Sequence, residues 1–180
     1  LPKLTNGRFI LRLGTQIKAH ITRRFGMTWE SPGPRLREYI EAMRALWKTF
    51  QHDEKLNYRG EFYKITYMSP FFQPAPIEHP DIPVYIAGVQ EYMCQLAGEL
   101  CQGFHVHPLH TVDYLKNLTL PNIRVGLEKS GRSRQDIQLT CSIFIVTNEQ
   151  EKNEVKSQIA FYASTPSYRG VLEMHGLGDL

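Results

Sequence analysis

Long apolar runs are missing from this 180-residue chain. No stretch approaches the roughly 18 residues that a membrane-spanning helix needs, so no membrane partner is expected. The first residues, "LPKLTNGRFILRLG", contain no apolar h-region and no cleavage pattern, so no secretory signal is read. The chain starts at Leu1 rather than Met, and further residues upstream are expected. Cysteine is scarce and odd in number, at three. Cys94 and Cys101 lie seven apart on a predicted helix, a rise of roughly 10 Å that a disulfide does not bridge. Free thiols in a reducing, cytoplasmic compartment are therefore expected. "NLT" at Asn117 to Thr119 matches a glycosylation sequon, which carries no weight without a secretory signal. Internal repeats, low-complexity tracts and linkers are also absent. Charge is modest: the net +3 and pI of about 8.8 suit an anionic small ligand. They make no nucleic-acid footprint, because the basic residues are scattered. The densest basic group, Lys18, His20, Arg23 and Arg24, reads as a solvated helix face.

What is present is a globular composition, 42% hydrophobic and 22% charged, long enough for a single domain over residues 1–180 with a real core. "NGRFILRLG" (6–14) alternates as a strand. "RLREYIEAMRALWKTF" after Pro32 and Pro34 is a predicted helix with Leu36, Tyr39, Ile40, Met43, Leu46, Trp47 and Phe50 on one face. "LNYRGEFYKI" (56–65) reads as a β-hairpin around Arg59-Gly60. The proline-rich segment 71–83 is an irregular connector. Regular alternation follows: a strand at 84–87, a helix at 90–100, a strand at 103–107 and helical sequence at 111–129, interrupted by Pro121. The longest β-rich run is 137–147. Thr147 and Gln150 resemble a capping box that opens a helix to about Tyr162. A short helix with a glycine stop closes the pattern in "TPSYRGVLEMHG". Strands alternating with helices predict parallel βαβ units, either a doubly wound sheet or part of a (β/α)8 barrel. Parallel strands are therefore expected near 8–13, 83–87, 103–107 and 138–146.

Both architectures place ligands at the carboxyl ends of strands. Ala87-Gly88 is such an end, and a helix N-terminus follows it. Two readings stand there: an ordinary βα turn, or an anion site built from backbone N–H groups and the helix dipole. The nearby side chains are mostly uncharged, which assigns the work to the backbone. In "HVHPLH", the strand period puts Gly103, His105 and His107 on one face and Phe104 and Val106 on the other. His105, His107 and His110 read either as pocket lining or as structural hydrogen-bonding groups. A proton-handling role also suits their chemistry. No carboxylate or cysteine pattern accompanies them, so no metal is expected.

In that order, "GRFILRLGT", "REYIEAMRALW", "RGEFYKI", "PVYIAGV", "LAGELCQGF" and "GRSRQDI" resemble the bacterial luciferase-like monooxygenase superfamily. "GFHVHPLHT" after "PVYIAGV" is most similar to its deazaflavin branch, which uses coenzyme F420. The resemblance implies an α/β fold: a partial (β/α)8 TIM barrel of about four parallel strands, barrel strands four to seven, with a β-hairpin insertion. It implies a fragment of an F420-dependent oxidoreductase that moves a hydride between cofactor and an organic substrate, the fragment alone being inactive. An FMN-dependent monooxygenase and a non-catalytic relative that keeps only the fold are the alternatives. Cofactor contacts carried over from the family fall on Gly14, Thr15 and His20, on Ala87, Gly88, Val89 and Gln90, and on Gly103. His105, His107 and His110 would lie on the substrate side. The family's catalytic histidine would lie outside this chain. The resemblance leaves a homodimer of the intact protein open. Arg12, Gln16, Cys101 and Gln102 depart from the family pattern, which usually reads "GLGTG" and "ADGF" at those places.

Overall fold

The computed structural model describes residues 1–179, which divide into two compact units, one over Leu1–Val84 and one from Tyr85 onward. One four-stranded sheet has the order β1-β4-β5-β6, and a separate ribbon pairs β2 with β3. The architecture is the expected α/β type, with a hairpin and a sheet that does not close into a barrel.

The first unit contains β1 (Leu11–Leu13), α1 (Pro32–His52), β2 (Tyr58–Arg59) and β3 (Lys64–Ile65). The first strand is shorter than the alternation at 6–14 predicts. Residues ahead of it form turns instead, with Asn6 and Gly7 both at positive φ. Prolines within its first turn start α1. Gly33, Leu36, Ile40, Ala42 and Thr49 are its buried residues; of the expected face, Met43, Leu46, Trp47 and Phe50 are partly buried and Tyr39 is exposed.

The hairpin is held from α1 by one carboxylate. Glu38 accepts N–H bonds from Glu61 (2.7 Å), Phe62 (2.8 Å) and Tyr63 (3.1 Å). Desolvation pushes its pKa upward, but the three amides outweigh it and hold the carboxyl below its ordinary value. Beside it, Tyr58 donates to Glu41 at 2.9 Å.

The second unit is built on parallel strands β4 (Val84–Gly88), β5 (Gly103–Val106) and β6 (Gln138–Cys141). Between them run α2 (Glu91–Leu100), α3 (Val112–Tyr114), a π-type turn over Leu115–Thr119 and α4 (Leu120–Lys129). The chain then adds α5 (Glu149–Ala163) and α6 (Arg169–Glu173). Pro121 does not interrupt the helical run. It sits in the first turn of α4, where a missing N–H costs little, and the preceding π-type turn accommodates it.

β6 stops at Cys141, well short of the predicted 146. Among the described residues its one strand neighbour, β5, ends at Val106 opposite Cys141, and no described strand pairs with the residues beyond. Ile143 and Ile145 are 69% and 72% exposed. The cap of α5 is also displaced by one residue. Asn148, not Thr147, accepts the first-turn N–H, from Glu151 at 2.9 Å. Thr147 instead donates its N–H and hydroxyl to the Glu151 carboxylate.

The buried face of the sheet carries Val84, Ile86, Phe104 and Val106. Burying a phenylalanine side chain such as Phe104 contributes roughly 2–3 kcal/mol. α2 and α4 cross at two glycines. A β-carbon on Gly98 would run into the Ile123 carbonyl oxygen, and one on Gly126 into the Gln95 carbonyl oxygen. Gln95 also donates to Asn122 across the crossing, at 2.7 Å. Arg132 closes the far end by donating to the carbonyls of Gly98 (2.6 Å), Cys101 (2.7 Å) and Asp136 (2.7 Å). A second cluster joins Leu109, Tyr114 and Val171, flanked by Leu118, Ile159, Tyr162 and Tyr168.

Gly126→Ala inverts the usual helix preference. In an open helix the change stabilises by roughly 0.5–1 kcal/mol. Here the backbones must separate, and a net loss of about 1–3 kcal/mol is expected. Urea unfolding of the variant against wild type reads the sign directly, and an increase in stability would contradict the close approach.

Candidate functional site

Two cavities, one in each unit, involve residues singled out in the sequence. In the second unit, a cavity of about 530 Å³ opens at the start of α2. Gln90, Glu91, Tyr92, Tyr114, Ser167, Arg169 and Glu173 contribute to its lining. Gln90 is the N-cap residue, but its side chain makes no capping bond, and the first intrahelical bond runs from Cys94 N–H to Gln90 C=O at 3.1 Å. A helix leaves the amides ahead of that bond without partners inside the helix. The positive end of the α2 dipole therefore lies at this cavity.

The turn feeding the cavity is fixed by its neighbours. Gly88 is the last residue of β4, and a β-carbon there would collide with the Met93 side chain. The absence of a side chain at Gly88 is thus already required by packing inside the protein. Tyr114 donates its hydroxyl to the Val89 carbonyl. Burial pushes the Tyr114 hydroxyl up to about 12, so it stays a donor throughout the physiological range. Ala87 is exposed and Gly88 and Val89 are partly buried. Of the expected turn residues, only Gln90 lines the cavity.

Arg169 was not singled out in the sequence. It lies about 80 residues beyond the turn and reaches the cavity because Val171, two residues later, is buried with Tyr114. The cavity lining is mostly uncharged, as expected of the neighbours, but it also carries one guanidinium and two carboxylates, Glu91 and Glu173, which the sequence reading did not place there. The "YRGVLE" pattern offered the signal, an arginine beside an apolar anchor, but its placement depends on tertiary packing.

The histidines separate. On β5, Gly103 pairs with Tyr85 and His105 with Ala87, so these share the face opposite Phe104. The Tyr85 ring lies over Gly103, where a β-carbon would strike it. Tyr85 donates to the Gln138 side chain, and the His105 ring bonds Thr140 through Nδ1. The Gly103 side of the strand is therefore covered by the protein's own tyrosine. His107 lies past the end of β5. Its ring stacks on Tyr168 at 4.1 Å and meets the Tyr162 edge at 4.8 Å, while Leu109 N–H donates to Nδ1. His110 hydrogen-bonds the His107 carbonyl at 2.8 Å and contacts Cys141 at 3.0 Å. Among the described residues, no group of three His, Cys, Asp or Glu side chains is arranged to hold a metal.

In the first unit, Gly14 and Thr15 line a second cavity of about 300 Å³ with Trp29, Leu36, Tyr39 and Tyr63. Its walls are mainly apolar and aromatic, suited to a flat organic ring. His20 does not line it. Its Nδ1 instead lies 3.3 Å from the Gln16 side chain, and Gln16 has a φ of 61°.

The His107 environment has a pH consequence. Burial, the largest influence, holds the imidazole below its ordinary value of 6.5. At alkaline pH the ring is neutral in both states and adds nothing. Below about 6.5 the unfolded chain takes up a proton that the folded ring resists, so stability falls with pH. His107→Phe keeps an aromatic stack without the proton. Thermal melts at about pH 7.5 and pH 5.5 are expected to show a smaller acid loss in the variant than in wild type.

The family described as luciferase-like monooxygenase matches over residues 1–180. An uncharacterized protein of Mycobacterium tuberculosis is 41% identical over 186 residues, covering 100% of this chain and 55% of its own length. A 5,10-methylenetetrahydromethanopterin reductase of Archaeoglobus fulgidus is 32% identical, covering 98% of this chain and 50% of its own. The solved coenzyme F420-dependent tetrahydromethanopterin reductase of Methanopyrus kandleri superposes with a TM-score of 0.72 at 21% identity, over 97% of this chain and 52% of that one. That likeness concerns the fold. The chain spans about half the length of the curated relatives it matches.

Proposed function

From the premise that this chain belongs to the luciferase-like monooxygenase family, we propose that it forms part of an F420-dependent oxidoreductase acting on a small organic substrate. It would supply strands four to seven of the barrel within one domain. Sequence relatives described as F420-dependent support the deazaflavin reading over a flavin one. The observation that carries it is the cavity at the start of α2, where helix dipole, Ser167 and Arg169 converge.

These groups suit the phosphate of such a cofactor. Amides of the first turn donate to an anion, and a guanidinium forks onto two of its oxygens. Glu91 and Glu173 oppose the charge and restrain affinity. When bound, the deazaflavin supplies the hydride-carrying chemistry. Within the second unit, Gln90, Ser167 and Arg169 would hold its phosphate; Gly14 and Thr15 are family-implied ring contacts. Ala87, Gly88 and Val89 keep the turn in shape, and His20 and Gly103 remain family-implied contacts. His105, His107 and His110 stand on the substrate side of this reading. The rival is an FMN-dependent monooxygenase, which the family description favours.

Arg169 and Glu173 separate binding from folding because their substitutions act in opposite directions. Arg169→Ala removes charge-assisted bonds worth roughly 1.5–3 kcal/mol and is expected to weaken F420 binding about 10- to 100-fold. Glu173→Gln is expected to strengthen it. Fluorescence titration of the full-length protein with F420, and separately with FMN, measures both. Equal affinities for all three proteins would remove the α2 cavity from the cofactor site. Tight FMN binding with none for F420 would select the rival. Gly88→Val is a poor probe of the same site, since the Met93 collision perturbs the turn regardless of ligand.

A further inference from the structure

Cys141 is a thiol that the proposed function does not use, and it contacts His110. Cys141 ends β6 and is exposed, whereas Cys94 and Cys101 are buried. The His110 Nδ1 lies 2.8 Å from the His107 carbonyl oxygen, which can only accept, so Nδ1 carries the proton. In the neutral ring, Nε2 then presents a lone pair. Cys141 Sγ lies 3.0 Å from that nitrogen, so the thiol is the donor. A thiol, an imidazole and a carbonyl that fixes the tautomer are the elements of an activated nucleophile. Desolvation raises the Cys141 pKa above its ordinary value, which keeps the proton on sulfur until attack. The base is therefore needed at the moment of reaction.

We propose that Cys141 is a thiol-modification site, activated by His110, that forms mixed disulfides with small-molecule disulfides. In the step, the Cys141 proton passes to His110 Nε2 as Sγ attacks one sulfur of the disulfide. The new S–S bond forms, the old one breaks, and the leaving thiolate takes the proton back from the imidazolium. No net electrons are required beyond the disulfide itself, which is reduced to one free thiol and one bound half. The adduct sits at the carboxyl end of β6. The proposal does not depend on the deazaflavin reading.

The test follows the coloured thiolate released from dithiobis(nitrobenzoate) at neutral pH, with the labelled residue located by peptide mass spectrometry. One fast equivalent per chain on Cys141 is expected, with Cys94 and Cys101 reacting only after unfolding. His110→Asn keeps an N–H donor for the His107 carbonyl but supplies no base, so it preserves the local fold. It is expected to slow labelling about 10- to 100-fold. Free imidazole added to His110→Ala is expected to restore part of the rate, which a purely structural role would not allow. Unchanged rates in His110→Asn, no rescue by imidazole, or a fast label on another cysteine would each overturn the proposal. Circular dichroism of both variants confirms that the comparison is between folded chains.

Discussion

The second unit depends on backbone meeting backbone where α2 crosses α4. Two glycines, Gly98 and Gly126, bring each helix against the other's carbonyl groups. Any side chain at either position would push the helices apart, and dispersion attraction falls steeply with such a gap. Arg132 then ties the C-terminal carbonyls of α2 to the turn ahead of β6. Those carbonyls are the ones a helix leaves unsatisfied, and they carry the negative end of its dipole, so a guanidinium is well matched to them. The result fixes α2 at its far end, away from the cavity.

Fixing one end determines the other. The start of α2 is set by Met93 packed over Gly88 and by the Tyr114 hydroxyl on the Val89 carbonyl. Tyr114 belongs to the same cluster as Val171, and Val171 anchors the short helix that begins with Arg169. The cavity is thus assembled from two segments that Tyr114 joins, the start of α2 through the Val89 carbonyl and the Arg169 helix through Val171. Its one guanidinium comes from the later segment, and its two carboxylates come one from each. An anion bound there would be positioned by rigid elements rather than by a loose loop, which is the condition for orienting a cofactor.

The elements with strong local signals were legible in the sequence. The βα alternation, the long α1, the hairpin and the face of β5 that buries Phe104 follow from periodicity and turn chemistry. What periodicity did not carry was where pairing stops. Ile143, Ile145 and Val146 have β-strand composition, yet no described strand pairs with them, and strand formation needs a ladder as well as propensity. The site was legible only in its backbone part. The α2 N-terminus follows from local sequence, whereas Arg169, the Tyr85 ring over Gly103 and the contact of His110 with Cys141 join residues distant in the chain. Gly88 shows the complementary difficulty: packing against Met93 already demands it, so its presence says nothing by itself about a ligand.

Two departures from the family pattern differ in physical weight. Gln16 stands in the left-handed region at a φ of 61°, where the family usually has glycine. An L residue there costs roughly 1–2 kcal/mol, partly offset because a glycine would lose more freedom on folding. Its side chain reaches His20, so the substitution exchanges backbone ease for a side-chain contact and leaves the chain's path intact. Gln102 is exposed, and its carbonyl accepts from Gln138 N–H at 2.9 Å. Any residue supplies that carbonyl, so the strand pairing does not depend on the side chain found there. The departures therefore alter groups displayed on the surface while the backbone bonds that form the sheet persist, and discrimination between ligands falls to the side chains around the cavities.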